Sequence, residues 1–189
     1  MYYICDRSVL DEQLQDLQLN DYYSFKESFS AEECNKIIRS FDDLATEQEN
    51  KRSQFTHEGE NEWIYQNISE MAMEANKVMW KFNIAGIAEP ISYARYDIRD
   101  SEAARVDIGT NFNDSFRQDR KISFLIQLSE ESSYEGGEVL LHNNGTPAYL
   151  PKERGTTLMF PSWFLNGTTP ITKESKRTLY GWVSGSPFV

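Results

Sequence analysis

Basic residues, histidine and cysteine are all scarce in this chain. Among 189 residues, 19 Lys and Arg stand against 30 Asp and Glu, a formal net charge of −11. Phosphate binding draws on clustered cations, so this balance argues against nucleic acid and equally against an anionic membrane surface. Histidine occurs twice, as His57 and His142, which limits what any imidazole-ligated metal centre could draw on. The two cysteines, Cys5 and Cys34, are far apart and nothing before them reads as a secretion signal, so reduced thiols in a cytosolic setting are expected. No apolar run approaches the ~20 residues that span a bilayer. There is no internal repeat, low-complexity tract or second domain. With 39% hydrophobic and 13% aromatic residues, one domain can bury a full core without covalent staples.

In chain order, residues 1–20 form an N-terminal arm whose Leu10, Leu14 and Leu17 fall at helical spacing while Leu17 and Leu19 fall at strand spacing. The arm either folds back on its own domain or packs on a partner. Residues 21–189 read as the single domain. Tyr22 to Phe29 is an extended entry, and Ser30 with Glu33 forms a capping box that should start a helix ending near Ala45. Its apolar stripe is Cys34, Ile37, Ile38, Phe41 and Leu44. Lys51 to Glu60 reads as a polar loop. A second helix is predicted from Asn61 to before Gly86, with Met71, Met73 and Met79 as packing fillers.

From Pro90 the hydrophobic period changes to two. The predicted strands are Ile91–Tyr96, Ala104–Ile108, Lys121–Leu128, Val139–His142, Ala148–Leu150, Thr156–Phe160, Trp163–Thr168 and Thr178–Ser184. Eight short strands after two helices fit a mainly β chain with N-terminal helices (α+β), built as a double-stranded β-helix. In this cupin-like jelly roll the helices occupy about 30–85 and the barrel about 90–189. Large residues such as Phe124, Phe160, Trp163 and Tyr180 could close its interior.

The most patterned part is entered by Arg105-Val106-Asp107 and continues through Asp119 to Leu128, Tyr134 to Leu141, Phe160 to Asn166 and Lys176 to Trp182. In order and spacing this series resembles the prolyl-hydroxylase-like, PKHD-type branch of the 2-oxoglutarate and Fe(II)-dependent oxygenases, over about Tyr22 to Val189. The resemblance implies a jelly roll holding iron on a His-x-Asp pair and a second histidine. It also implies an Arg six residues before the last Trp that binds the keto acid's distal carboxylate, with a first pocket Tyr at Tyr96.

This chain departs from that pattern where the chemistry sits. Arg105 and Asn166 stand at the two histidine positions, and only Asp107 keeps the ligand type. Fe(II) in such sites takes two imidazoles and one carboxylate. A guanidinium has no lone pair to give, and an amide oxygen is a poor substitute for imidazole. Residues 105 and 107 face the same way on a strand, so Arg105 is expected to supply the positive charge that iron would have supplied, pairing with Asp107 or a neighbouring carboxylate. Lys176 holds the Arg position, keeping the charge but losing the bidentate fork, and Arg177 would take its place after a one-residue shift. Lys176, Arg177 and Tyr96 thus outline a vestigial 2-oxoglutarate pocket beside a lip charged by Asp97, Arg99, Asp100 and Glu102.

Three functions follow from that reading. The first is a catalytically degenerate oxygenase fold serving as a structural or binding component of a larger assembly, with protein partners and no expected cofactor, in a cytoplasm or a phage virion. The second is an active hydroxylase using Fe(II) and 2-oxoglutarate, its metal site rebuilt with His57 or His142. The third is a metal-free dicarboxylate sensor.

Overall fold

The computed structural model describes residues 22–47, 51–113, 116–142 and 147–188, leaving aside the side chains of residues 46 and 110–116. The arm at residues 1–20 lies outside the described residues. The elements are β1 (Tyr23–Phe25), α1 (Ala31–Thr46), β2 (Arg52–Phe55), α2 (Glu62–Ala75), β3 (Ile84–Gly86), β4 (Ile91–Tyr96), β5 (Glu102–Arg105) and β6 (Thr110–Asn113). They continue with β7 (Phe116–Gln127), β8 (Glu135–Gly136), β9 (Val139–His142), β10 (Ala148–Tyr149), β11 (Thr157–Pro161), β12 (Leu165–Thr168), β13 (Ile171–Lys173) and β14 (Lys176–Gly185).

Strands of one sheet run β1-β11-β7-β14-β4-β2, with β3 on β14 and β6 on β7; a second sheet runs β10-β9-β12-β5, and β13 pairs β8. This is the expected mainly β jelly roll, with two helices laid on the outer face of the larger sheet. Strand alternation decides which residues meet the helices. On β7, Ile122, Phe124 and Ile126 are buried toward α1 and α2, while Ser123 and Leu125 look between the sheets. On β14, Leu179 and Val183 face the helices, and Tyr180 and Trp182 face the interior.

The capping box forms as predicted. Ser30 Oγ accepts from Glu33 N at 3.2 Å, and Glu33 Oε2 accepts from Ser30 N at 2.7 Å. Helix α1 buries Cys34, Ile37, Phe41 and Ala45, with Phe41 stacked on Phe55 at 4.4 Å. Leu44, expected in the stripe, is half exposed and Ala45 is buried instead, because position 45 lies four residues after Phe41 on the same helix face. Helix α2 buries Ile64, Ile68, Ala72 and Ala75. Met71 packs on this core, whereas Met73 is exposed.

Three elements differ from the sequence reading. The Lys51–Glu60 loop contains β2, which adds to the edge of β4; an edge strand needs hydrogen bonds on one side only, so its polar sequence is compatible with pairing. The second helix stops early, in a wide turn at Asn76–Trp80 closed by left-handed Lys81, where the Asn76 amide bonds both Phe82 N and Phe82 O. The freed chain becomes β3. The strand expected at Ala104–Ile108 ends at Arg105, and Asp107 N instead donates to Ser162 O at 2.8 Å. Among the described residues, no helix is long and apolar enough to cross a membrane.

Between the sheets Val139, Leu141, Leu150, Leu158 and Phe160 form their own buried cluster. Of the four residues expected to close the interior, Phe160 and Tyr180 line it. Phe124 packs chiefly with the helix-side core, and Trp163 sits edge-on among Phe82, Phe164 and Phe188.

Candidate functional site

Strands β5 and β12 lie antiparallel with Asn166 opposite Arg105, so the two substituted positions are cross-strand neighbours. Asp107, two residues beyond, turns inward until its side chain is only 7% exposed. Its carboxylate is enclosed by donors. Arg105 Nε lies 3.3 Å from Oδ1, Ser123 Oγ donates to Oδ2 at 2.8 Å, and Asn166 Nδ2 donates to the same oxygen at 3.1 Å. The Asn166 amide nitrogen also faces the carbonyls of Arg105 and Phe164 at 3.2 and 3.3 Å. All three neighbours are acceptors, so the amide must present N–H there and not its oxygen.

The network continues outward. Arg105 NH1 meets Glu102 Oε2 at 2.7 Å, and Glu102 Oε1 also receives Arg52 NH2. Arg52 NH1 donates to Tyr180 Oη at 3.1 Å. Two guanidinium groups alternate with two carboxylates, which leaves the mouth formally neutral. Arg105, expected to pair with Asp107 or a neighbouring carboxylate, contacts both Asp107 and Glu102. Beneath it the space lined by Tyr96, Asp107, Ser123, Phe160, Asn166 and Tyr180 amounts to about 30 Å³. That is water-sized, against roughly 300–1,000 Å³ for ligand pockets.

Lys176 and Arg177 point to opposite faces of β14. Lys176 is 1% exposed and its ammonium donates to Gly137 O at 2.7 Å. Burial, with the nearby Lys152 charge adding and Glu138 opposing, brings its pKa down to about 7. Gly137 makes this possible: its φ is +65°, and a Cβ there would come within 2.5 Å of Ile171 Cδ1 and 3.1 Å of Lys176 Cδ. Arg177 is no part of the pocket. It grips Asp42 of α1 through Nε at 3.0 Å and NH2 at 3.1 Å, fastening the helix to the barrel. Burial alone would raise the Asp42 carboxyl, but hydrogen bonds from Arg177 and Tyr93 and the Arg177 and Arg95 charges outweigh it and hold the carboxyl below its usual range. Tyr96 is opposite Lys176 on β4, buried, with its hydroxyl pKa raised by that burial.

The donor set does not fit Fe(II). One carboxylate faces a guanidinium, an amide N–H and a hydroxyl, and neither histidine lines the cavity. His57 is exposed after β2, edge-on to Tyr65 at 5.8 Å, and His142 ends β9 opposite Leu165. Among the described residues no three or more His, Cys, Asp and Glu side chains are grouped to hold a metal ion. Ser123 and Arg52 are site residues that sequence reasoning did not single out, and Tyr180, expected only to fill the interior, also accepts a hydrogen bond from Arg52. The signal for Ser123 was a lone polar residue within the apolar run of β7; Arg52 carried none, lying in what read as loop.

Comparison with known proteins agrees with this architecture. The family model described as the 2OG-Fe(II) oxygenase superfamily matches residues 92–184. A PKHD-type hydroxylase of Idiomarina loihiensis is 33% identical over 97 residues, covering 46% of this chain and 44% of that protein. Another from Gloeothece citriformis is 28% identical over 91 residues, covering 48% and 40%. The chain thus spans less than half the length of these two relatives. Among solved structures, a Pseudomonas putida prolyl-4-hydroxylase superimposes with a TM-score of 0.69 at 13% identity, covering 95% of this chain and 100% of that one. The viral collagen prolyl hydroxylase of Paramecium Bursaria Chlorella virus-1 gives 0.68 at 15%, covering 89% and 97%.

Proposed function

We propose that the chain, whose residues 92–184 match the 2-oxoglutarate/Fe(II) oxygenase family model, is a non-catalytic member of that superfamily, kept as a binding or structural component of a larger assembly. The observation that carries this reading is the enclosure of Asp107 by Arg105, Asn166 and Ser123. A cation entering there would displace a guanidinium that already neutralises the carboxylate. The keto-acid position is spent in the same way, since Lys176 is bonded to Gly137 O and the space beneath the mouth is water-sized. That also speaks against an internal dicarboxylate sensor. The acidic surface and the N-terminal arm are the proposed contact regions, in a phage virion or a bacterial complex.

Anaerobic titration with Fe(II) in the presence of 2-oxoglutarate tests the reading. The expected result is no visible charge-transfer band, no tightly held iron and no succinate after oxygen is admitted. A band at near-stoichiometric iron would mean that the site is rebuilt and that the chain is a hydroxylase. Affinity capture with and without residues 1–20 then tests the contact role of the arm.

A further inference from the structure

Outside the closed inner site, the chain between β4 and β5 and the start of β2 form an open cleft of about 350 Å³. It is lined by Lys51, Arg52, Arg95 and Arg99 against Asp100 and Glu102, and with Asp97, which pairs Lys51 and Arg95, one positive charge remains in excess in a chain of net charge −11. Tyr96 is the wall shared with the inner site. The volume falls in the ~300–1,000 Å³ range of small-ligand pockets, unlike the space beneath it.

Arg99 is the informative residue. Its φ is +77°, a left-handed conformation that costs a non-glycine side chain, and it occupies the tip of a turn pinned on both sides. Arg99 N donates to Ile171 O at 2.9 Å, Ile171 N to Asp100 O at 3.0 Å, and Asp97 N to Asp100 Oδ2 at 2.8 Å. The turn therefore pins the Arg99 backbone at the cleft wall, and its exposed guanidinium forms no ion pair with a carboxylate among the described residues. The other cations are pre-set by carboxylates: Lys51 by Asp97 and Asp100 at 3.1 and 2.8 Å, Arg95 by Asp97 at 2.9 Å, and Arg52 by Glu102.

We propose that this cleft binds a compact polyanion carrying two or more carboxylate or phosphoryl groups, with Arg99 as the leading contact and Lys51, Arg52 and Arg95 as the seat. The cleft contains none of the metal positions and shares only Tyr96 with the keto-acid pocket, and the proposal stands whether or not the inner site is catalytic. Glu102 couples the two. Its carboxylate binds Arg52 in the cleft and Arg105 above Asp107, so an incoming anion competes with Glu102 for Arg52.

Calorimetric titration of the full chain with citrate and with pyrophosphate tests this, and preference for one over the other separates a carboxylate from a phosphoryl source. The expected result is saturable one-to-one binding of at least one probe, weakened about tenfold by Arg99→Ala, as for loss of a charge-assisted hydrogen bond. Glu102→Gln removes the competing carboxylate and should tighten binding, and Arg39→Ala, on exposed α1, should change nothing. Arg99 and Arg39 are both exposed, so these variants keep the fold. No saturable heat with either probe to millimolar concentration, acetate binding as tightly as citrate, or equal losses in Arg99→Ala and Arg39→Ala would overturn the proposal.

Discussion

Replacing Arg105 by Met keeps the aliphatic stem and deletes the charge that faces Asp107. Removing one partner of a fully buried ion pair costs ~3–5 kcal/mol, whereas exposed pairs contribute ~0–1 kcal/mol. Arg105 lies between these limits, because its side chain is 41% exposed while those of Asp107 and Glu102 are 7% and 19% exposed. Asp107 also retains its hydrogen bonds from Ser123 and Asn166. The loss should therefore be roughly 1–2 kcal/mol, or a fall in Tm of roughly 2–8 °C for a chain of this size. Urea denaturation of Arg105→Met, Asp107→Asn and the double variant at pH 7 measures the coupling, expected at roughly 1 kcal/mol. If Arg105→Met is within about 0.5 kcal/mol of the parent and the coupling vanishes within error, Arg105 is a solvated surface charge and its role as the substitute for a cation is wrong.

Two further outcomes follow from the same geometry. Lys176 has a folded pKa of about 7 against an ordinary 10.5, so between those values the unfolded chain holds a proton that the folded chain has released. Its contribution to stability therefore rises as pH climbs from 7 to 10 and is absent below 7, and Lys176→Met should flatten that part of the stability profile measured by urea midpoints. Restoring imidazole at both substituted positions, Arg105→His with Asn166→His, places two such ligands on paired strands beside Asp107 and should create a Co(II) or Fe(II) site detectable by absorption, whereas either single change should not. Failure of the double variant to bind metal, with its fold intact, would mean that the cavity and not the ligand set excludes the ion.

Much of this protein was legible along the chain. The capping box of Ser30 and Glu33, the period-two runs at β4 and β9, and the order of motifs from Asp107 to Trp182 determined a jelly roll with helices before it. These are local or periodic signals, set by backbone hydrogen bonding and the alternation of strand faces. The sequence also determined that an imidazole pair was missing at the expected positions, because ligand chemistry depends on residue type. It did not reveal β2 or β3, since an edge strand answers to its neighbour's free hydrogen bonds more than to its own composition. Only the tertiary structure decided what the substituted residues do. Register across β5 and β12 sets Asn166 beside Arg105, and alternation along β14 sends Lys176 to Gly137 O and Arg177 to Asp42. Glu102, read from sequence as part of a charged lip, is the carboxylate joining Arg52 to Arg105, residues 53 positions apart that meet only because β2 and β5 are brought to one mouth. Ion pairs carry no sequence period, so their partners become known only when the strands are in place.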